Sequence, residues 1–134
     1  MIKKELFTFI KSKRLTLRGI RERDFDSLLA YRDDEKVLQY QGWTDKTESE
    51  IRVLIEEQKS LQPGIPGEWF MFAIELKTNE MIGDCAVCIN ENDPRQTELG
   101  ITLSRASQGQ GYAKEAISCI LNFIFNNLGF YKQR

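Results

Sequence analysis

The segment that most constrains the fold is 97–129, where a strand pattern runs through a turn with two glycines into a long helix pattern. Thr97–Leu103 alternates apolar and polar residues, as a half-buried strand does. The apolar residues of 113–128 follow helical spacing, and Gly129 lies where a C-cap glycine belongs. A long helix is therefore expected soon after the end of a strand, and this context gives significance to the two glycines between them.

The remaining patterns mix helices with strands. They first predict a strand at 14–20, followed by a helix at 23–34 that starts near Asp24 or Asp26. A second helix starts at the capping-box pattern at 47–50 and runs to 61. Two strands follow at 68–76 and 80–89, joined by a short polar turn. Helices mixed with antiparallel strands indicate the α+β class, with a mainly antiparallel central sheet flanked by helices.

Composition excludes several classes of protein. Of the 134 residues, 19 are Lys or Arg and 20 are Asp or Glu, so the net charge of -1 leaves no overall basic surface for a nucleic acid. No apolar run approaches the length of a membrane span. The apolar stretch at 6–10 is too short for a signal peptide and lacks a cleavage site. We therefore expect a cytoplasmic protein with no nucleic-acid or membrane partner.

The three cysteines predict no metal site and no disulfide. Cys85 and Cys88 have the spacing of a zinc or redox motif, but both fall inside the strand predicted at 80–89. Residues three apart on a strand point to opposite faces, so these thiols cannot share a ligand. Cys119 has no second pair nearby, and the chain contains no histidine. Buried, reduced thiols are the expected outcome.

The glycine turn has the composition of an anion-binding loop. A helix start leaves four backbone N–H groups without intrahelical partners and carries the positive end of the helix dipole. Gly109 and Gly111 can adopt a positive φ and let an anion approach the backbone, and Gln108 and Gln110 are expected to add hydrogen bonds at the rim. The stretch matches neither a P-loop nor a dinucleotide fingerprint. A plain turn with convenient glycines is the simpler alternative.

This turn resembles the acetyl-CoA signature of the GNAT N-acetyltransferases, Gln/Arg-x-x-Gly-x-Gly/Ala. Gln108, Gly111 and Ala113 fill its three defining positions. The likeness runs from about residue 14 to the end, and segments 22–43, 97–117 and 128–132 are similar to the branch that modifies ribosomal-protein N-termini and small amines. The resemblance implies a GNAT-like fold and acetyl transfer from acetyl-CoA to a primary amine, either a peptide N-terminus or a small molecule.

The resemblance also assigns the residues that bind acetyl-CoA, the co-substrate. Backbone N–H groups of the turn would bind the pyrophosphate, and the preceding strand would pair with pantetheine and hold the oxyanion through an N–H group. The turn residues are Gln108, Gly109, Gln110, Gly111, Tyr112 and Ala113, and the strand residues are Ile101, Thr102 and Leu103.

GNAT proteins continue beyond this point with a strand, a helix and two more strands. We therefore expect residues 1–134 to be a single acetyl-CoA-binding domain that is incomplete at its C-terminus and lacks the C-terminal strands, either truncated or completed by a partner chain. A homodimer is left open. Two alternative functions remain: a non-catalytic module that binds CoA or another phosphate, and a small interaction domain whose glycines only make a turn.

Direct attack on a thioester requires a neutral amine. Deprotonating a lysine-like amine near pH 7.4 costs roughly 4 kcal/mol, and an α-amine costs under about 1 kcal/mol. Glu98 is the candidate general base, acting through a water molecule, with a solvated carboxylate as the alternative. Tyr112 is expected to pack against CoA or the helix rather than act as an acid. Tyr40 and Trp43 are expected either to line the acceptor pocket or to lie in the core.

Overall fold

The computed structural model describes residues 7–32, 48–93 and 95–127. Five strands form one antiparallel sheet in the order β1-β2-β3-β4-β5, so each strand pairs with its neighbours in the chain. The strands are β1 (Phe9–Lys11), β2 (Leu15–Gly19), β3 (Trp69–Leu76), β4 (Met81–Ile89) and β5 (Thr97–Leu103). The helices are α1 (Phe25–Arg32), α2 (Glu48–Lys59) and α3 (Tyr112–Asn122), which continues as a π-helical turn at Phe123–Asn127.

The strands and helices confirm the predicted order, with one addition. β5 has the predicted bounds, and the β3–β4 hairpin turns over Lys77 to Glu80. β1 was not predicted, because three residues are too few for a period-2 pattern. Thr47 of the predicted capping box and Gly129 of the predicted C-cap lie outside the described residues.

One face of the sheet packs against α3 and is almost entirely apolar. Ala116, Ile120 and Ile124 are buried against the sheet. Phe70 and Phe72 meet edge to face, with 4.8 Å between the ring centroids. This arrangement places the positive edge of one ring against the negative face of the other, which is attractive. This face supplies the main hydrophobic core, and it fixes the start of α3 relative to β5.

The opposite face packs against α1 and α2 and contains buried charges. Leu28, Ile51 and Ile55 form its apolar contacts. Arg18 donates to Asp24 at 2.8 Å and to Glu75 at 2.9 Å, and all three side chains are buried. Burial alone lowers the pKa of Arg18, but the hydrogen bonds and charges of the two carboxylates outweigh it and raise that pKa. This network fixes the start of α1 on the sheet.

Cys85 and Cys88 point to opposite faces of the sheet as predicted, but of the three cysteines only Cys85 is buried, and Cys88 and Cys119 are half-buried. Cys85 is buried on the α3 side of β4, whereas Cys88 is half-buried on the other face, where it pairs with Trp69 and Glu98 in register. All three thiols are free in the part of the chain that the structure describes, and no group of metal-ligating side chains forms there. No helix within 7–32, 48–93 or 95–127 is long and apolar enough to cross a bilayer.

Candidate active site

The glycine turn has the backbone geometry of an anion cradle. Gly109 and Gly111 have φ of 79° and 82°, in the left-handed region that glycine adopts without strain. The first hydrogen bond inside α3 runs from the Glu115 N–H to the Gly111 carbonyl, at 3.1 Å. The N–H groups of Tyr112 and Ala113 precede it, so they have no acceptor within the helix. The turn therefore combines a glycine-lined approach with unpaired donors at the positive end of the helix dipole.

The two glutamines of the turn stabilise the loop itself. The Gln108 side-chain amide donates to the Leu103 carbonyl at 3.1 Å, and the Gln110 amide donates to the Ala106 carbonyl at 2.9 Å. The Gln108 backbone N–H also donates to the Arg105 carbonyl. The glutamine amides were expected to bond a ligand at the rim of the turn, but they bond backbone carbonyls of the loop instead. Carbonyls in a tight turn need donors, and the glutamine side chains are the nearest ones. Gln108 and Gln110 thus hold the turn in shape.

Arg14, at the turn before β2, ties the loop to the sheet. Its Nη1 donates to the Gln110 carbonyl at 3.1 Å, its Nε lies 2.7 Å from Glu115 Oε1, and its guanidinium stacks on the Tyr112 ring at 4.4 Å. Glu115 also accepts from Ser12 Oγ and from the Arg14 backbone N–H. The sequence analysis missed this link, since about a hundred residues separate its two ends and no local pattern connects them.

β5 leads directly into this loop and is the outer strand of the sheet in the described part of the chain. Its side chains alternate as predicted. Leu103 joins the apolar core under α3, and Thr102 is buried on the α1–α2 face. Ile101, which is half-buried, also packs against the α3 core. The backbone of these three residues therefore runs along the sheet margin and ends at the glycine turn.

A cavity of about 740 Å³ lies between α2 and the β3–β5 part of the sheet. Its described lining includes Gly100 and Thr102 of β5, so the cavity opens beside the strand expected to hold the thioester. Its charged lining residues are Arg32, Glu50, Glu57 and Asp84. Three carboxylates against one guanidinium make the described wall acidic, which favours a cationic ligand.

Asp84 lies on the inner wall of this cavity and is 2% exposed. The Tyr31 hydroxyl donates to its Oδ2, and Arg32 Nη2 lies 3.3 Å from each oxygen. Burial raises the pKa of Asp84, although the Arg32 charge and both hydrogen bonds act in the opposite direction. Burial, followed by the Asp84 charge, raises the pKa of the Tyr31 hydroxyl well above its ordinary value. The sequence analysis missed this cluster too.

Glu98 is exposed, near the start of β5 and on the same face as Gly100 and Thr102. It lies five residues before the end of β5, roughly 16 Å along the strand from Leu103 at about 3.3 Å per residue. Its neighbour in register is Cys88, whose pKa is raised by burial first and then by the Glu98 charge. Tyr40 and Trp43 lie outside the described residues.

This combination of antiparallel sheet, edge strand and glycine turn at a helix start defines an acetyltransferase-type fold. Residues 14–132 match the acetyltransferase (GNAT) domain family. The chain belongs to that family, which confirms the family membership that the resemblance implied.

Relatives of known sequence or structure agree with this assignment. The chain is 32% identical over 119 residues to the uncharacterized N-acetyltransferase p20 of Bacillus licheniformis, and the match covers 87% of this chain and 66% of p20. A GNAT-family acetyltransferase from Bacillus anthracis has the same fold, with a TM-score of 0.75, 22% identity and coverage of 92% and 69%. The spermidine N-acetyltransferase of Vibrio cholerae, solved with CoA and spermine, matches with a TM-score of 0.73, 20% identity and coverage of 89% and 68%.

Proposed function

We propose that this protein transfers an acetyl group from acetyl-CoA to the primary amine of a small molecule or a peptide N-terminus. The observation that carries the proposal is the continuity of β5 with the glycine turn. A strand at the sheet margin leads into a loop with two left-handed glycines and unpaired helix-start donors. An acidic cavity opens beside the same strand. One surface can therefore hold a phosphate, an extended chain and a cationic group together.

The turn fits a pyrophosphate for reasons of space and charge. A Cβ added at Gly109 would meet nothing within 4 Å, so the space above this residue is open. A Cβ at Gly111 would lie 3.3 Å from Arg14 Nη2, so the Arg14 guanidinium closely borders the turn. The N–H groups of Gly109 to Ala113 would bind the phosphate oxygens, with the Arg14 charge nearby.

The chemistry requires donors for an oxyanion and an acceptor for a proton. Acetyl-CoA supplies the thioester. A backbone N–H group of the 101–103 stretch that faces away from β4 would stabilise the oxygen that becomes negative when the amine attacks the carbonyl carbon. The C–N bond forms, the C–S bond breaks, and the thiolate leaves with CoA. Glu98 would accept the amine proton through a water molecule, consistent with its exposed position on the cavity side of β5.

Calorimetric titration with acetyl-CoA tests the binding step. The Gly111→Val variant should bind at least roughly tenfold more weakly, because valine is strained at positive φ and would crowd Arg14. The matched control is Gly64→Val, because Gly64 also has a positive φ of 97° but lies outside the glycine turn, so the same backbone strain should leave acetyl-CoA affinity unchanged. Equal affinity of wild type and Gly111→Val would contradict the cradle.

A thiol-release assay tests acetyl transfer. The acceptor panel contains spermidine, lysine methyl ester and a peptide with a free N-terminus. Thiol release with at least one of these amines, together with acetylated product in mass spectrometry, is the expected result. Acetyl-CoA binding without thiol release for any amine would instead support the non-catalytic module.

A further inference from the structure

We propose that Asp84 binds the ammonium group of the acceptor at the inner wall of the cavity, with Tyr31 and Arg32 fixing its orientation. The proposal rests on the proposed acetyl transfer and adds a residue that determines its specificity. Asp84 lines the cavity, whereas Tyr31 behind it belongs to the buried core of α1. A ligand in the cavity would meet the carboxylate, while the hydroxyl holds it from behind.

A comparison with Asp24, a buried carboxylate on the same side of the sheet, shows why Asp84 can accept another donor. Asp24 receives two bonds of 2.8 Å from Arg18 and one of 2.7 Å from the Arg21 backbone N–H. From the described residues, Asp84 receives one bond from the Tyr31 hydroxyl and long contacts of 3.3 Å from a single Arg32 nitrogen. A carboxylate has about four lone-pair sites, so the Asp84 carboxylate retains acceptor capacity.

The position of Asp84 places a bound amine beside β5. Asp84 is the register partner of Thr102, and side chains that face each other across antiparallel strands have Cβ atoms about 4.5–5.5 Å apart. Gly100, two residues earlier on β5, also lines the cavity, and it has no side chain that could separate a ligand on Asp84 from the β5 backbone. An ammonium on Asp84 therefore lies next to the strand that would present the thioester carbonyl, and it becomes the neutral nucleophile once it has passed a proton through water to Glu98.

Electrostatics supports a cationic acceptor at this point. Glu50 and Glu57 line the cavity from α2, and Arg32 is already engaged with Asp84. A carboxylate–ammonium contact is stronger on the buried wall than in water, because the local dielectric is lower. Burial of Asp84 also costs free energy, which a bound cation would offset.

The test is steady-state kinetics of Asp84→Asn with whichever panel amine the wild type acetylates. The amide keeps the shape but removes the charge, so the KM for the amine should rise roughly 10–100-fold. The KM for acetyl-CoA should stay within about twofold, since the proposed phosphate and pantetheine contacts are unchanged. The matched control is Asp26→Asn, which removes an exposed carboxylate of α1 that does not line the cavity and should leave the KM for the amine unchanged.

Each outcome decides the matter. An unchanged KM for the amine in folded Asp84→Asn overturns the role of Asp84 and leaves acetyl transfer intact. Failure of the wild type to acetylate any amine overturns the proposed function instead, and this proposal with it. If Asp84→Asn does not fold, Tyr31→Phe is measured in its place. The proposal then requires the KM for the amine to increase about threefold while the KM for acetyl-CoA stays unchanged.

Discussion

The link between Glu115 and the turn before β2 predicts a stability difference that depends on pH. Glu115 accepts from Ser12 Oγ at 2.6 Å, from the Arg14 backbone N–H at 2.7 Å and from Arg14 Nε at 2.7 Å. Burial alone raises the pKa of Glu115, but these hydrogen bonds and the Arg14 charge outweigh it and lower the pKa from 4.5 to about 2. The folded state therefore favours the ionised carboxylate.

The size of the effect follows from that difference. The change from 4.5 to about 2 corresponds to about 3 kcal/mol at pH 7. The Arg14 side chain is 43% exposed, so solvent screening reduces the contribution to roughly 1–2 kcal/mol. Because the pKa is lower in the folded state, this contribution is complete above pH 4.5 and is lost as the pH falls towards 2. At pH 3 roughly 40% of it should remain.

Urea denaturation of wild type and Glu115→Gln at pH 7 and pH 3, followed by circular dichroism, measures this contribution. The free energy of unfolding should differ between the two proteins by roughly 1–2 kcal/mol at pH 7, and by less than half of that at pH 3. The control is Glu22→Gln, since Glu22 pairs with Lys59 in a solvent-exposed bridge and its loss should have little effect. A difference of equal size at both pH values, or none at pH 7, would refute the reasoning.

Three further predictions follow from other positions. Glu98→Gln should lower kcat by roughly 100-fold for a lysine-like amine and by less for an α-amine. If steady-state kcat falls equally for both amines, Glu98 is not the general base. Gly83→Ala should lower the free energy of unfolding by about 2 kcal/mol or more, because the alanine Cβ would lie 2.2 Å from the Thr102 carbonyl oxygen. A urea denaturation midpoint equal to that of wild type would argue against this crowding. Burial, then the Asp84 charge, raises the pKa of the Cys85 thiol to about 12. Cys85 should therefore react with Ellman's reagent far more slowly than Cys88, which peptide mass spectrometry can measure. Equal rates for the two thiols would be inconsistent with the burial of Cys85.

Local patterns predicted the elements whose signal is contained in neighbouring residues. The alternation of β5 and the turn between β3 and β4 each lie within a few residues, and both agree with the structure. The opposite faces of Cys85 and Cys88 followed from strand geometry alone. The three-residue strand β1 has too short a pattern to be recognised.

Contacts between distant residues had no such signal. Asp84 is conspicuous as an acidic residue within an apolar strand, and this could have marked it as a candidate. Its partners Tyr31 and Arg32 precede it by 53 and 52 residues, so the cluster emerges only when α1 packs on the sheet. The glycine turn was predicted as a loop at a helix start, but its internal glutamine bonds depend on a backbone path that composition does not specify.

The division of the sheet into a dry face under α3 and a charged face under α1 and α2 has an evolutionary consequence. The start of α3 is held by an apolar core that shares few side chains with the cavity wall. Substitutions on α2 or at the cavity-facing positions of β3 and β4 can therefore accumulate without moving the glycine turn. Descendants of such a domain can diverge in the lining of the cavity while keeping one inherited glycine turn.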